Sequence, residues 1–239
     1  MLLGWLRKLV IRLIKILVLP VLVVALVLGY YGFLPGVSKL FGSDRPRDLG
    51  VSVTAADLQS ANSKLGQSQV ALARGQDPHT IWQAADEVSV DANLTPAEYA
   101  AHFMTIHPVK DLQLLFHDDG SFEASGRIDR GRIRGLLRAA GVDEVDQLGV
   151  LSVFDRYLLG NPIFYLRGTG EITDGQASLT LEKTELGRLS LSPGPFAAGL
   201  VTYAEGLIKN IPHLTIARMA VENGRLHVQG TIPAVIPTY

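Results

Sequence analysis

The sequence predicts an α+β fold in which one N-terminal transmembrane helix precedes a curved, mainly antiparallel β-sheet, built from hairpins and packed on amphipathic helices. Three observations carry that expectation. Residues 16–34, ILVLPVLVVALVLGYYGFL, form a run of 19 without a charge. Further on, apolar and polar residues alternate on either side of Asp119-Gly120, Asp174-Gly175 and Asn223-Gly224, pairs that favour tight hairpin turns. Elsewhere apolar residues recur at helical spacing, most clearly as Phe196, Leu200, Tyr203, Leu207 and Ile211.

A bilayer core about 30 Å thick needs roughly 20 apolar helical residues, so the 16–34 run is just long enough to cross. Pro20 is tolerable near the end of such a helix, and Tyr30, Tyr31 and Phe33 stand where an aromatic belt would meet water. Arg7, Lys8, Arg12 and Lys15 precede the run with no acid among them, which places the N-terminus in the cytoplasm and the remainder outside it. A cleaved signal peptide would want a shorter apolar core and a small-residue cleavage site, and LVLGYYGFLPG offers none. The expected organisation is therefore a basic N-terminus and anchor over 1–35, a juxtamembrane linker over 36–52, and an extracytoplasmic α+β domain over 53–239.

Formal net charge is −1, and the four cations before the run leave −5 for the rest. An acidic domain of this kind is a poor nucleic-acid binder and would meet lipid through apolar surface rather than charge. With 19% charged residues the chain reads as folded, and the absence of cysteine rules out thiolate chemistry and disulfides.

Taken in order, Pro35, Gly36, Pro46 and Gly50 punctuate an extended stalk. Thr54 and Asp57 suggest a capped helix with Leu58, Ala61 and Leu65 on one face and Gly66 as its stop. Residues 67–86 carry no clear period: Asp77-Pro78 argues for a turn, and the rest reads as loop or a short strand. EVSVDAN from Glu87 is a short strand, and Thr95-Pro96-Ala97-Glu98 starts a helix whose stripe is Tyr99, Phe103 and Ile106. Leu112, Leu114 and Phe116, then Phe122, Ala124 and Ile128, form the first hairpin. Residues 130–159 read as two helices, broken by Asn161-Pro162, 163–186 as a second hairpin, 192–195 as a loop, and the segment around Asn223-Gly224 as a third hairpin, with Pro233 and Pro237 ending its pairing.

Residues 120–128 and 224–232 both fit G-x-Φ-x-Φ-x-G-x-I, where Φ is apolar, and each follows a helix and a strand. This suggests a pseudo-repeat, although any Asp-Gly or Asn-Gly hairpin can look alike. A sheet of six or more strands curled around a long helix would leave either a tight core or an apolar groove, and the pattern does not choose between them.

The V-x-V strand, the Leu94-Thr95-x-x-Glu98 helix start, the hairpin V-K-D-L-Q-L with D-G-S-F-E-A-S-G, and the closing N-G-R-L-H-V-Q-G-T-I-P follow an N-terminal anchor. Together, over roughly 87–233, they resemble the LmeA-like phospholipid-binding and YpmS-like membrane-anchored families of bacterial exported proteins, which are related to the tubular (TULIP-type) lipid-binding folds. The resemblance implies an extracytoplasmic domain that holds or presents an acyl chain, and it brings no catalytic residues.

Tests for chemistry give little. His102 and His107 are five apart, off the spacing of a helical metal pair, and the other histidines, His79, His117, His213 and His227, are scattered. There is no G-x-S-x-G elbow, Asp118-Asp119 reads as turn chemistry, and Gly168-x-Gly170 lacks the helix a dinucleotide loop needs. No catalytic residue, metal site or cofactor is expected, and the protein is read as not an enzyme. The expected function is a single-pass, N-in cell-membrane protein whose domain binds membrane lipid or another apolar ligand. Phe103, Leu114, Phe116, Phe196, Leu200, Tyr203 and Leu207 are the candidate groove residues, each of which could equally be plain core. The alternative is an accessory subunit docking with other membrane proteins; Ala25 and Gly29, four apart, would allow helix packing.

Overall fold

The computed structural model describes residues 17–34, 36–73, 76–129, 132 and 161–238. The two helices expected over 130–159 lie outside the described residues but for Arg132. The chain forms a curled, antiparallel half-barrel sheet with helices against it, an α+β fold. Helices are α1 (17–30), α2 (Val37–Phe41), α3 (Ala55–Leu65), α4 (Pro78–Ala84), α5 (Pro96–Ile106) and α6 (Pro193–Asn210). Strands are β1 (Ser68–Ala71), β2 (Glu87–Leu94), β3 (Val109–Phe116), β4 (Ser121–Ile128), β5 (Ile163–Thr173), β6 (Gln176–Leu186), β7 (Leu189–Ser190), β8 (Thr215–Glu222), β9 (Arg225–Pro233) and β10 (Val235–Thr238).

Local chemistry explains the elements. Thr54 and Thr95 both close capping boxes, with Asp57 and Glu98, and Gly66 ends α3 in the left-handed conformation. Glu98 also ties two helices together: its carboxylate accepts from Ser60 Oγ at 2.5 Å and Lys64 Nζ at 2.7 Å on α3. Asp174-Gly175 and Asn223-Gly224 take positive φ at both residues, the twist that lets β5–β6 and β8–β9 turn in two residues.

β5 is the spine. β6 pairs along one edge for its whole length, while the other edge is shared: residues 163–169 pair with β4 and 171–173 with β8. The β3–β4 and β8–β9 hairpins thus meet tip to tip beside Gly170, with Gly120 against the Val221 carbonyl and Gly224 against Asp118. Each of the three hairpins breaks register once, and each break stands at a glycine: Gly126 faces the break in β3, Gly168 the one in β6, and Gly230 the one in β8. A bulge bends and twists its strand, and the bend brings backbone against backbone. A Cβ at Gly168 would lie 2.1 Å from the Thr180 carbonyl oxygen, and one at Gly230 2.0 Å from that of Thr215. The matching bulges and glycines of β3–β4 and β8–β9 give the repeated G-x-Φ-x-Φ-x-G-x-I pattern a shared geometry.

Four local readings differ from the structure. The segment 67–86 holds β1, which pairs in parallel with β10, and α4, with Asp77 accepting from His79 N as the cap rather than forming a simple turn. Residues 193–195 are not loop but the first turn of α6, where a proline's missing N–H is no loss. Pro237 does not end pairing; it sits inside β10, where β1 donates to the Ala234 and Thr238 carbonyls and needs no donor from it. Finally, the 36–52 segment is not an extended stalk. Arg47 N and Leu49 N bond Ser125 Oγ and Gln113 Oε1 on the sheet at 2.7 and 2.8 Å, and the Arg47 guanidinium lies 3.6 Å over the Tyr165 ring.

The end of α1 is docked as firmly. Arg188 N donates to the Tyr31 carbonyl, its guanidinium covers the Tyr30 ring at 4.8 Å and bonds the Phe41 carbonyl at 2.6 Å. Ser43 Oγ bonds the Gly29 carbonyl at 2.6 Å, and Phe33 packs on the core. Gly187, with a φ of 60°, lies so close under Tyr31 that a Cβ would sit 1.8 Å from its carbonyl oxygen.

Gly168→Ala should lower stability by about 3 kcal/mol, because backbone and not a flexible side chain occupies the Cβ position. Gly194→Ala, in open space on helix α6, should be neutral or stabilising by up to about 1 kcal/mol. Thermal melts of the two variants check this; equal melting temperatures would remove the role assigned to the close approach at Gly168.

Candidate functional site

The inner faces of both wings of the sheet are apolar because alternate residues along each strand point inward. β2 shows the alternation cleanly, with Val90, Ala92 and Leu94 buried and their neighbours exposed. α5 crosses this inner face from the end of β2 to the start of β3, and α6 runs along β6. The two helices and the curled sheet do not close completely. They leave a cavity of about 460 Å³.

Its wall is made by Leu114, Phe116, Phe122 and Phe164 from the β3–β5 wing, Ile172, Met219, Val221 and Leu226 from the other wing, and Leu200, Tyr203, Leu207 and Ile208 from α6. Tyr99, Phe103 and His107, one turn apart on α5 and at its end, form the remaining side. Of the seven candidate groove residues, the structure brings six to this wall: Phe103, Leu114, Phe116, Leu200, Tyr203 and Leu207. Phe196 is not among them. It lies one turn earlier on α6, buried in the solid part of the core.

Polar groups interrupt the apolar wall: Glu171 and Ser178, paired across β5–β6, and His107 with Tyr203. His107 Nδ1 and the Tyr203 hydroxyl are hydrogen-bonded at 2.9 Å, joining the end of α5 to the middle of α6. The imidazole also stacks on Phe103, ring centres 3.7 Å apart. Burial lowers the His107 pKa to about 3, with nearby His102 and the Arg132 guanidinium adding to the effect, so the ring is neutral at physiological pH. His102, bonded through Nε2 to Gln67 Oε1 at 2.8 Å, is lowered by burial to about 4. Tyr99 is raised above the ordinary phenol range by burial alone. In the sequence, the spacing of His107 argues only against a metal pair; its place at the end of the α5 stripe, one turn after Phe103, is the signal for its position on this wall.

Other candidates resolve into structural roles. Asp119 accepts from both the backbone and the hydroxyl of Ser121, the chemistry of a turn. His227 pairs with Asp91 across β2–β9 at 2.9 Å. Among the described residues no three His, Asp or Glu side chains stand where they could hold a metal ion.

Acid should unfold the protein in two stages. Between its folded value and the ordinary 6.5, each imidazole binds fewer protons folded than unfolded, so stability falls as pH drops below 6.5. The slope is at most about 1.4 kcal/mol per pH unit for each ring. For Glu98, burial alone would raise the pKa, but the Lys64, Ser60 and Thr95 bonds outweigh it and lower it to about 2. Its stabilisation is full above the ordinary 4.5 and is lost as pH falls from there towards 2. Melting temperature should be level from pH 8 to 7, fall below 6.5 and fall more steeply below 4.5, and His107→Phe should flatten the first stage. A melting temperature that rises on acidification would contradict both assignments.

Comparison with protein-family models, with curated proteins and with solved structures finds no match for this chain.

Proposed function

We propose that the protein is a membrane-tethered, non-catalytic binding domain that takes an acyl chain or a similar apolar ligand into the cavity between the sheet and helix α6. The observation that carries the reading is the cavity wall: about 460 Å³ lined mostly by aliphatic and aromatic side chains, within the range of small-molecule sites. A cavity of this size has room for an acyl chain. Each methylene desolvated is worth about 0.8 kcal/mol.

The tether rests on the 16–34 run and the cations before it. Among the described residues no helix is long and apolar enough to cross a membrane, and helix α1 is the part of the run they include. That helix exposes Leu17, Leu19, Val21 and Val24, each more than half accessible, as a continuous apolar surface. A lipid environment around this surface, with the N-terminus in the cytoplasm and the domain outside, is the arrangement proposed here.

Native mass spectrometry of the full chain released from detergent should show near-stoichiometric bound lipid. Ala204→Trp, which places an indole in the cavity, should abolish the adduct without lowering the melting temperature by more than a few degrees. A clean apo mass in the parent protein, with no uptake of added lipid, would overturn the reading and turn attention to docking partners in the membrane.

A further inference from the structure

On the reading of the cavity as a chain-binding site, we infer that its ligand is an amphiphile with an uncharged oxygen head, an ester, hydroxyl or amide, and that His107 Nε2 is the atom that reads this head. The geometry supplies the argument. A hydrocarbon would be served by a uniformly apolar wall, yet this wall carries an imidazole clamped on both sides: stacked on Phe103 at 3.7 Å and bonded through Nδ1 to Tyr203 at 2.9 Å. The clamp fixes the ring's rotation and so the direction of Nε2. Among the described residues Nε2 has no hydrogen-bond partner, and the ring lines the cavity.

With Nδ1 accepting from the tyrosine hydroxyl, Nε2 carries the proton and donates to a ligand oxygen; in the other tautomer it accepts from a ligand hydroxyl. Either form suits a neutral head. The buried, neutral ring offers a hydrogen bond and no charge of its own, and the nearby Arg132 guanidinium donates to the Met104 and Thr105 carbonyls at 3.2 and 2.9 Å, so a neutral head suits the ring best.

Position adds to chemistry. β5 begins at Ile163, whose carbonyl accepts from Gly187 N beside the docked end of helix α1. His107, Val109 and Phe164 are therefore at the end of the cavity nearer helix α1, and Ile172, Ile208 and Val221 at the far end. The head would stay towards the tether and the tail would point away from it.

The test uses the full chain in nanodiscs and three diazirine probes of equal chain length: a monoacylglycerol, a fatty acid and a plain hydrocarbon. Crosslinked peptides are mapped by mass spectrometry. The monoacylglycerol should label β3, β4 and helix α6 more strongly than the fatty acid at pH 7. In His107→Phe, which keeps a ring on Phe103 but loses both nitrogens, monoacylglycerol labelling should fall about tenfold while hydrocarbon labelling is unchanged. His107→Gln, which returns an amide near the Nε2 position, should restore much of it, and it provides a second variant should the phenylalanine form fail to fold. Equal monoacylglycerol labelling in all three proteins, or a stronger signal from the fatty acid, would overturn the inference and leave the cavity reading standing. Absence of cavity labelling by every probe would overturn the cavity reading itself.

Discussion

The rest of the structure depends on the contact between backbones at the hairpin bulges. Where β6 slips by one residue past Gly168 and β8 past Gly230, the strands come closer than any side chain permits. Bent there, the sheet turns its apolar faces towards one another instead of towards a flat layer of helices. With larger residues at these positions the strands would have to separate, the curl would relax, and the residues that now face each other across the cavity would spread along a surface. The cavity is thus a property of glycines that touch none of its contents.

Given the curl, the two long helices determine what is left empty. α6 lies along β6, so its stripe reaches only part of the inner face. α5 is held at an angle by Glu98, which binds α3 through Ser60 and Lys64 while capping its own helix. Neither helix sits deep enough to fill the space between the wings. Phe116, Phe122 and Phe164 line it from the sheet, and Phe116 meets the Tyr99 ring of α5, centres 6.4 Å apart. An apolar space of this size that water would enter only at a cost is a place for an apolar molecule, which is why the proposed function begins from packing rather than from any catalytic constellation.

Much of this was legible in the sequence, for physical reasons that differ by element. The three hairpins announce themselves through Asp-Gly and Asn-Gly turns, and α3 and α5 through paired capping boxes, because those signals are local. β1 and β10 were not legible: a four-residue parallel pair formed by residues about 165 apart has no local signature, and Pro237 pointed the other way. The start of α6 was hidden by its prolines, which end helices in the interior yet suit a first turn. Phe196 shares the helical period of Leu200 and Tyr203, yet it lies buried in the core while they line the cavity. Period identifies a face, but not how far along that face the packing remains tight.

The docked junction between helix α1 and the sheet has a consequence for reach. Arg188, Gly187 and Ser43 leave no free chain between Tyr31 and the first contacts with the sheet. In the proposed membrane setting such a protein works like a post rather than a leash. It cannot swing outward to hand cargo to a distant surface, and its cavity keeps one height and one tilt above the lipid headgroups. Exchange would then be confined to molecules that rise to that level or to partners that come down to it, so traffic through the site would be governed by what leaves the bilayer close by and not by excursions of the domain.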